Sequence, residues 1–514
     1  MLDKYIDRIG EWNPQLFREL KSRLTGNAAI AVVAISIGLQ AIAIGAAMSS
    51  STEIKTQIWM NFFATISWLI PMGLILGSVY TLIADIDREE KRGTLNFIRL
   101  TPQSARSILI GKMLGVPSLI YLGVLLAIPL HLVVGLLAGI GLPMILVWYC
   151  TIGATIYLCS SLAILYSLYG GKYPIVFTLL FALPINTIVS LYNYYLNAAA
   201  TRQWWTIESS FRWYWLPIIN KFYICNALII TTILAISYWL WVTIDREYIN
   251  PTSTAFKKEH SYWMNIQFQF WLLGFGLPIL NYETIDNSSQ NFYILATFYS
   301  IGTIGVYCLI PQILPSKLSM QEWSRYRRDR VTHKDRQWWQ QELVRDLVWH
   351  DASPIGLAML INVAISALVW GTCFGIFVSD RVWLIKSLCG VIIVSVLTLI
   401  HTGIINLIFL RTRAKTRGVM PLIILMSGLP LFLGFIATIT LNHSSFGLLL
   451  FLFSPFAWMG VTQLALPNIG AIFMGQLGIL AGITKLLQQR IKQLGRSETQ
   501  TLSQQKSLMA GTNR

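Results

Sequence analysis

The chain has 514 residues, 55% of them hydrophobic and only 12% charged, and its net charge is +16. Soluble domains carry about 25% charged residues, so this composition, with a mean hydropathy of +0.58, excludes a water-soluble globular protein. It also removes nucleic acid as the meaning of the positive charge, because the basic residues fall in short segments between apolar runs of membrane-spanning length.

The amino-terminal segment, 1–26, carries Asp3, Lys4, Asp7, Arg8 and Glu11 where a secretory signal would need a short basic start and an apolar stretch. Asn13 and Pro14 form a helix cap and first-turn pair, and Trp12, Leu16, Leu20 and Leu24 recur every fourth residue, with Glu19 between them. This pattern predicts an amphipathic helix lying on the membrane surface.

Apolar runs then follow over 28–48, 58–83, 113–140, 143–168, 174–196, 219–242, 262–280, 292–314, 354–378, 382–410, 419–441 and 470–487. They predict an all-α integral membrane protein of about twelve transmembrane helices in two six-helix halves. The halves span 27–243 and 262–488, joined by a cytoplasmic linker at 244–261. A long basic cytoplasmic loop, 315–353, lies in the second half, and 489–514 is a basic tail expected to be disordered.

With both termini in the cytoplasm, all of the 39 lysines and arginines fall inside except Lys55, Arg202, Arg212, Lys221, Arg381 and Lys386. Positive charge retained on the cytoplasmic side is the standard determinant of orientation, so this split predicts a multi-pass protein of the cell membrane, inner or plasma. To keep it, the apolar stretches Trp204–Pro217 and Phe446–Leu464 are read as an outer interfacial belt and an excursion from the outer face. Six cysteines lie in or beside apolar runs without CxxC spacing and read as buried thiols.

The segment after the second run, 84–112, packs charge, a Gly-Thr break and a Thr-Pro pair into a short space. Gly93 is placed to end one helix; Leu95, Phe97, Ile98 and Leu100 form an apolar ridge; Pro102 follows Thr101 as a first-turn residue after its cap. Such a loop presents a short rigid helix to a partner, or serves as a connector.

Glu90-Lys-Arg-Gly93-Thr94-Leu95, then Thr101-Pro102, then Gly111-Lys112 resembles the E-x-x-G-T-L…T-P…G-K pattern of ABC-2 type transporter permeases. Asn13-Pro14 with Arg18-Glu19-Leu20 is similar to the membrane-surface elbow helix that precedes the first span in that family. The resemblance implies a translocation subunit that binds a separate ABC ATPase through this cytoplasmic loop. It also implies that ATP and magnesium are held by the partner and that this chain needs no cofactor of its own. The family builds one half of a pathway from six spans, so this chain would either be both halves fused or pair with a second copy or another permease. The 315–353 loop lacks the Gly-Thr-Leu pattern.

The chain itself has no Walker loop, since Gly111-Lys112 is preceded by Arg106 and followed by Met113. A proton- or ion-coupled secondary transporter is a second reading, weakened by the scarcity of charge in mid-span. A membrane-embedded transferase is a third, resting on His401 and on His350-Asp351, without any hydrolytic motif. Asn186, Asn362, His401 and Asn406 are the candidate pathway residues, and helix-to-helix hydrogen bonding is their alternative role.

Overall fold

The computed structural model describes residues 10–49, 55–171, 173–180, 186–187, 189–190, 212–218, 221–251, 253–280, 288–329, 342–411, 419–440 and 450–495. Among them, ten helices are long and apolar enough to cross a membrane. The chain is thus a helical protein of the multi-pass membrane type. It divides into two units, one of Met1–Phe211 with Leu216–Pro251, the other of Arg212–Trp215 with Thr252–Arg514.

The first unit contains α1 (Pro14–Arg23), α2 (Gly26–Ser49), α3 (Lys55–Arg92), α4 (Thr94–Arg99), α5 (Ala105–Gly115), α6 (Ser118–Leu137), α7 (Leu142–Leu168) and α8 (Phe222–Ile249). Two departures from the sequence expectation matter here. Helix α3 does not stop at Ile83 but runs 38 residues, to Arg92, so the acidic start of the presumed loop is a helical extension. The expected third span is broken at Val116-Pro117 into α5 and α6, because proline lacks the N–H that would continue the helix. The expected fifth span lies mostly outside the described residues, as do 496–514 and most of the outer Trp-rich stretch.

The apolar core of the first unit forms around Phe63, Ile145 and Trp148. His131 is enclosed within it: its ring contacts Ser67 Oγ at 2.8 Å and Tyr149 Oη at 2.7 Å and stacks on Phe63 at 4.5 Å. Both ring nitrogens are engaged, so His131 holds helices together.

The second unit contains α9 (Lys258–Leu280), α10 (Ser288–Ile313), α11 (Lys317–Asp329), α12 (Glu342–Trp349), α13 (Gly356–Phe377), α14 (Arg381–Arg411), α15 (Val419–Thr440), α16 (Trp458–Val461) and α17 (Leu466–Leu494). The expected tail therefore begins later than 489, since α17 continues to Leu494. The described part of the basic loop contains α11 and α12, and 330–341 lies outside the described residues. Of the expected outer excursion, 446–449 also lies outside them. The described end of the Trp-rich stretch is tied to α9: Trp213 Nε1 donates to Trp271 O at 3.1 Å, and Tyr214 N to Gly274 O at 2.6 Å.

Helix α9 replaces apolar residues with a polar stripe at helical spacing, Ser261, Asn265 and Gln269, and α13 answers with Asn362, Ser366 and Trp370. Asn362 Nδ2 donates to Ser261 Oγ at 3.0 Å, Asn265 Nδ2 to Asn362 O at 2.8 Å, and Trp370 Nε1 to Gln269 Oε1 at 2.8 Å. Buried polar groups in an apolar medium need such partners. The ladder thus explains why α9, expected as the seventh span, is not among the ten helices long and apolar enough to cross a membrane.

At the start of α9 the ammonium of Lys258, 1% exposed, donates to Leu347 O, Ser353 Oγ and Pro354 O at 2.8, 2.6 and 3.1 Å. Burial lowers its pKa to about 7, with Asp351 and Asp346 acting in the opposite direction. Cys159 and Cys373 are buried as expected and Cys225 and Cys389 are half-buried, whereas Cys150 and Cys308 depart from the expectation and are exposed.

The ladder generates a test. Gln269→Leu leaves Trp370 Nε1 without its acceptor and is expected to cost roughly 1 to 2 kcal/mol, the upper range for one interhelical hydrogen bond in a membrane protein. The readout is a lowered midpoint of thermal unfolding in detergent; an unchanged midpoint would mean that the ladder carries no stability.

Candidate functional site

The residues singled out by sequence converge at one end of the first unit, where α1, the end of α3, α4 and α5 meet. Helix α1 begins at Asn13, whose Oδ1 accepts from Leu16 N at 2.9 Å and whose Nδ2 donates to Ser107 O, on α5, at 2.7 Å. One side chain thus caps one helix and fastens it to another. Pro14 sits at the first turn, where its missing N–H has no consequence.

The approach is close because α5 presents glycine. A Cβ on Gly111 would stand 2.7 Å from Asn13 Oδ1 and 2.9 Å from Leu16 N, and one on Gly115 only 2.5 Å from Glu19 Cβ. Between them, Lys112 is fully buried. Its ammonium lies 2.8 Å from Asp85 Oδ2, 2.8 Å from Glu89 Oε1 and 3.9 Å from Glu19 Oε1. Arg23 joins Glu19 at 3.2 Å and Asp85 at 2.5 Å, while Arg18 joins Glu19 at 3.1 Å and Glu89 at 3.2 Å. Three carboxylates balance three cations. The carboxylates are close enough together to hold a cation, and the lysine ammonium fills that place.

The face of α1 that packs is therefore Gln15, Leu16 and Glu19, all buried. Of the apolar residues expected to face the membrane, Leu16 is buried in the protein, Leu20 is half-buried, and Trp12 and Leu24 are 66% and 39% exposed. The charge cluster, not the stripe, sets the rotation of the helix, because unpaired buried charge costs far more than an exposed Trp or Leu.

The segment after α3 reverses at Gly93, which adopts a left-handed conformation with φ 73° and ψ 0°, a region glycine enters without a Cβ penalty. Gly93 N donates to Glu90 O at 3.1 Å, and the Thr94 hydroxyl to Glu89 O at 3.2 Å. The Glu90 side chain itself is exposed; its neighbour Glu89 is the one that meets Lys112.

Helix α4 divides the expected ridge in two. Leu95 and Ile98 are buried among Ile86 of α3, Leu109 of α5, Ile164 of α7 and Ile244 of α8, whereas Phe97 and Leu100 are 73% and 85% exposed. The division follows from i,i+3 spacing, which puts each pair on its own side of the helix. The expected helix start at Thr101-Pro102 is also corrected. The Thr101 hydroxyl donates back to Ile98 O at 2.7 Å, Pro102 lies in a bend, and the cap of α5 is Ser104, whose Oγ accepts from Ser107 N at 3.2 Å. Two further contacts close the site on α8: Arg106 pairs with Asp245 at 2.5 Å, and the Arg99 guanidinium stands 5.2 Å over the Tyr248 ring.

The candidate pathway residues do not form one site. Asn186 accepts from Trp68 Nε1 at 2.9 Å in the first unit, and Asn362 belongs to the ladder of the second. His401 contacts Tyr307 Oη at 2.8 Å, and Asn406, on the same helix, is buried with an Oδ1 that has no partner among the described residues. Sequence reading missed Asp85, Glu89, Gly115 and Asp245. The i,i+4 spacing of Asp85 and Glu89, set against a lysine inside an apolar run, was the available signal.

No family model matches the chain, and neither the curated proteins nor the solved structures offer a match.

The close approach at Gly115 can be tested directly. Gly115→Leu inserts a side chain where a single Cβ already meets Glu19, so α1 is expected to lift from α5. Trypsin would then cut after Lys21 or Arg23 roughly tenfold faster or more, as local opening governs such cleavage. Unchanged cleavage would show that the glycine is not needed for docking.

Proposed function

We propose that this chain is the permease subunit of an ATP-binding-cassette transporter, working as an exporter and energised by a separate ATPase subunit. The observation that carries the reading is α4: one face is fixed in the protein by Leu95 and Ile98, while Phe97 and Leu100 stand exposed beside it. Large apolar side chains held out on a rigid turn match the anchor residues that concentrate binding energy in protein interfaces. The ordered resemblance of Glu90–Leu95, Thr101-Pro102 and Gly111-Lys112 to ABC-2 permeases supplies the identity of the partner.

In this reading α1 is the elbow helix, placing Trp12 and Leu24 in the membrane interface, and the chain crosses the membrane twelve times with both ends in the cytoplasm. The distribution of Lys and Arg supports that orientation. ATP and magnesium belong to the partner subunit, which closes on ATP and pushes on α4. Leu95 and Ile98 pass the push to α3, α5, α7 and α8, all of which contribute to the same buried cluster. A rigid attachment is what allows a push at one turn to tilt spans.

The test separates the two faces of α4. Phe97→Ala with Leu100→Ala removes both exposed anchors and is expected to weaken ATPase binding by about thirtyfold for each anchor, from roughly 2 kcal/mol apiece, with the membrane part still monodisperse. Leu95→Ala instead creates a cavity and is expected to lower thermal stability by about 2 to 5 kcal/mol. Co-purification of the ATPase at matched expression reads the first effect. Undiminished ATPase recovery with the double variant would leave α4 as a connector and remove the main support for the proposal.

A further inference from the structure

The second unit contains a cavity of about 460 Å³ among α14, α15 and α17, lined by apolar residues except for His401 and Gln476. That volume lies within the range of ligand sites. Its rim includes Leu429, Leu433, Phe453 and Ile479, which are 44%, 42%, 53% and 52% exposed. These residues belong to apolar stretches of spanning length or adjoin them, so the cavity opens toward the surface that faces lipid.

The two polar groups are out of place in such surroundings. Gln476 is 6% exposed, and its Oε1 has no hydrogen-bond partner among the described residues. His401 is likewise 6% exposed. Its Nδ1 is engaged with the Tyr307 hydroxyl at 2.8 Å, which leaves Nε2 as the nitrogen available to the cavity. A carboxamide and an imidazole nitrogen within spanning helices are costly unless something hydrogen-bonds to them. Among the described residues no Lys, Arg, Asp or Glu lines the cavity, so a phosphate or carboxylate head would enter it uncompensated. A hydroxyl suits the pair, since it can donate to Gln476 Oε1 and either donate to or accept from His401 Nε2.

We propose that this cavity is a binding site for a neutral, hydroxyl-bearing, single-chain lipid drawn from the bilayer. The chain lies along Met426, Leu429 and Leu433, and the hydroxyl rests between His401 and Gln476. Met426 gives the wall an adaptable side chain. The Gln476 oxygen is closed off from the cavity in this structure, so binding requires its carboxamide to rotate and present that oxygen to the ligand hydroxyl. The inference needs only the chain's own helices and does not depend on the ATPase.

The test uses the full purified chain in nanodiscs, without any partner, and two photoactivatable probes: a long-chain fatty alcohol carrying a diazirine, and its methyl ether. Labelling is expected to concentrate on peptides that contain Met426–Leu433 and Gln476–Ile479, with the alcohol favoured over the ether by about tenfold, the value of one good hydrogen bond. Gln476→Leu is expected to reduce that preference toward parity, and His401→Phe to do the same. Leu433→Trp, which fills the mouth, is expected to lower labelling by both probes. Equal labelling of the unaltered chain by alcohol and ether would overturn the proposal without recourse to any variant. So would labelling spread over the lipid-facing helices and unmoved by Leu433→Trp. Because no ATPase is present, either result leaves the coupling proposal standing.

Discussion

An ammonium group removed from water costs several kcal/mol unless its surroundings replace the lost hydration. At Lys112 that replacement comes from elements distant in sequence, Asp85 and Glu89 on α3 and, at longer range, Glu19 on α1. The cation can be buried only when all three helices are in register, so one side chain fixes the relative position of the N-terminal helix, the end of α3 and the start of α5. Gly111 and Gly115 permit the approach by leaving no side chain where α1 must lie. Helix α4 hangs between α3 and α5, and its buried face is defined only because those two are held together. The exposed position of Phe97 and Leu100 is a consequence of that arrangement.

The second unit solves a comparable problem with different groups. Lys258 is surrounded by two backbone carbonyls and a serine hydroxyl instead of contacting carboxylates directly, and desolvation lowers its pKa to about 7. Its neighbouring helices are joined by a neutral ladder rather than by ion pairs. Neutral hydrogen bonds suit a contact deep between spans, where charge is expensive, and ion pairs suit helix ends near water.

How much could be read from the sequence depends on whether the information was local. The Asn13 cap and the reversal at Gly93 are decided by a few adjacent residues, and both are where the sequence puts them. The ridge at Leu95–Leu100 was legible as apolar but not as two faces, because a six-residue helix is too short for its periodicity to show which side packs. The pairing of Lys112 depends on residues far away along the chain: the i,i+4 spacing of Asp85 and Glu89 signals an acidic face, but nothing in that spacing says which cation meets it. Helix α9 lay between these cases: Ser261, Asn265 and Gln269 repeat at i,i+4 and match Asn362, Ser366 and Trp370, a pattern open to reading only once the two helices are known to be neighbours. Gln476 gave no signal, since a lone amide in an apolar helix looks the same whether it is satisfied or waiting for a ligand.

Hydrogen exchange of the backbone amides from Thr94 to Leu100 tests most directly whether the buried ammonium holds the docking helix in place. In Lys112→Met, α3 and α5 lose the charge that joins them, a loss on the order of 3 to 5 kcal/mol for a broken buried pair. Exchange in this segment is then expected to be about tenfold faster or more than in the unaltered chain, with α13 of the second unit unchanged. Equal protection of Thr94–Leu100 in both proteins would show that α4 is fixed without Lys112 and that the buried ammonium does not hold it in place.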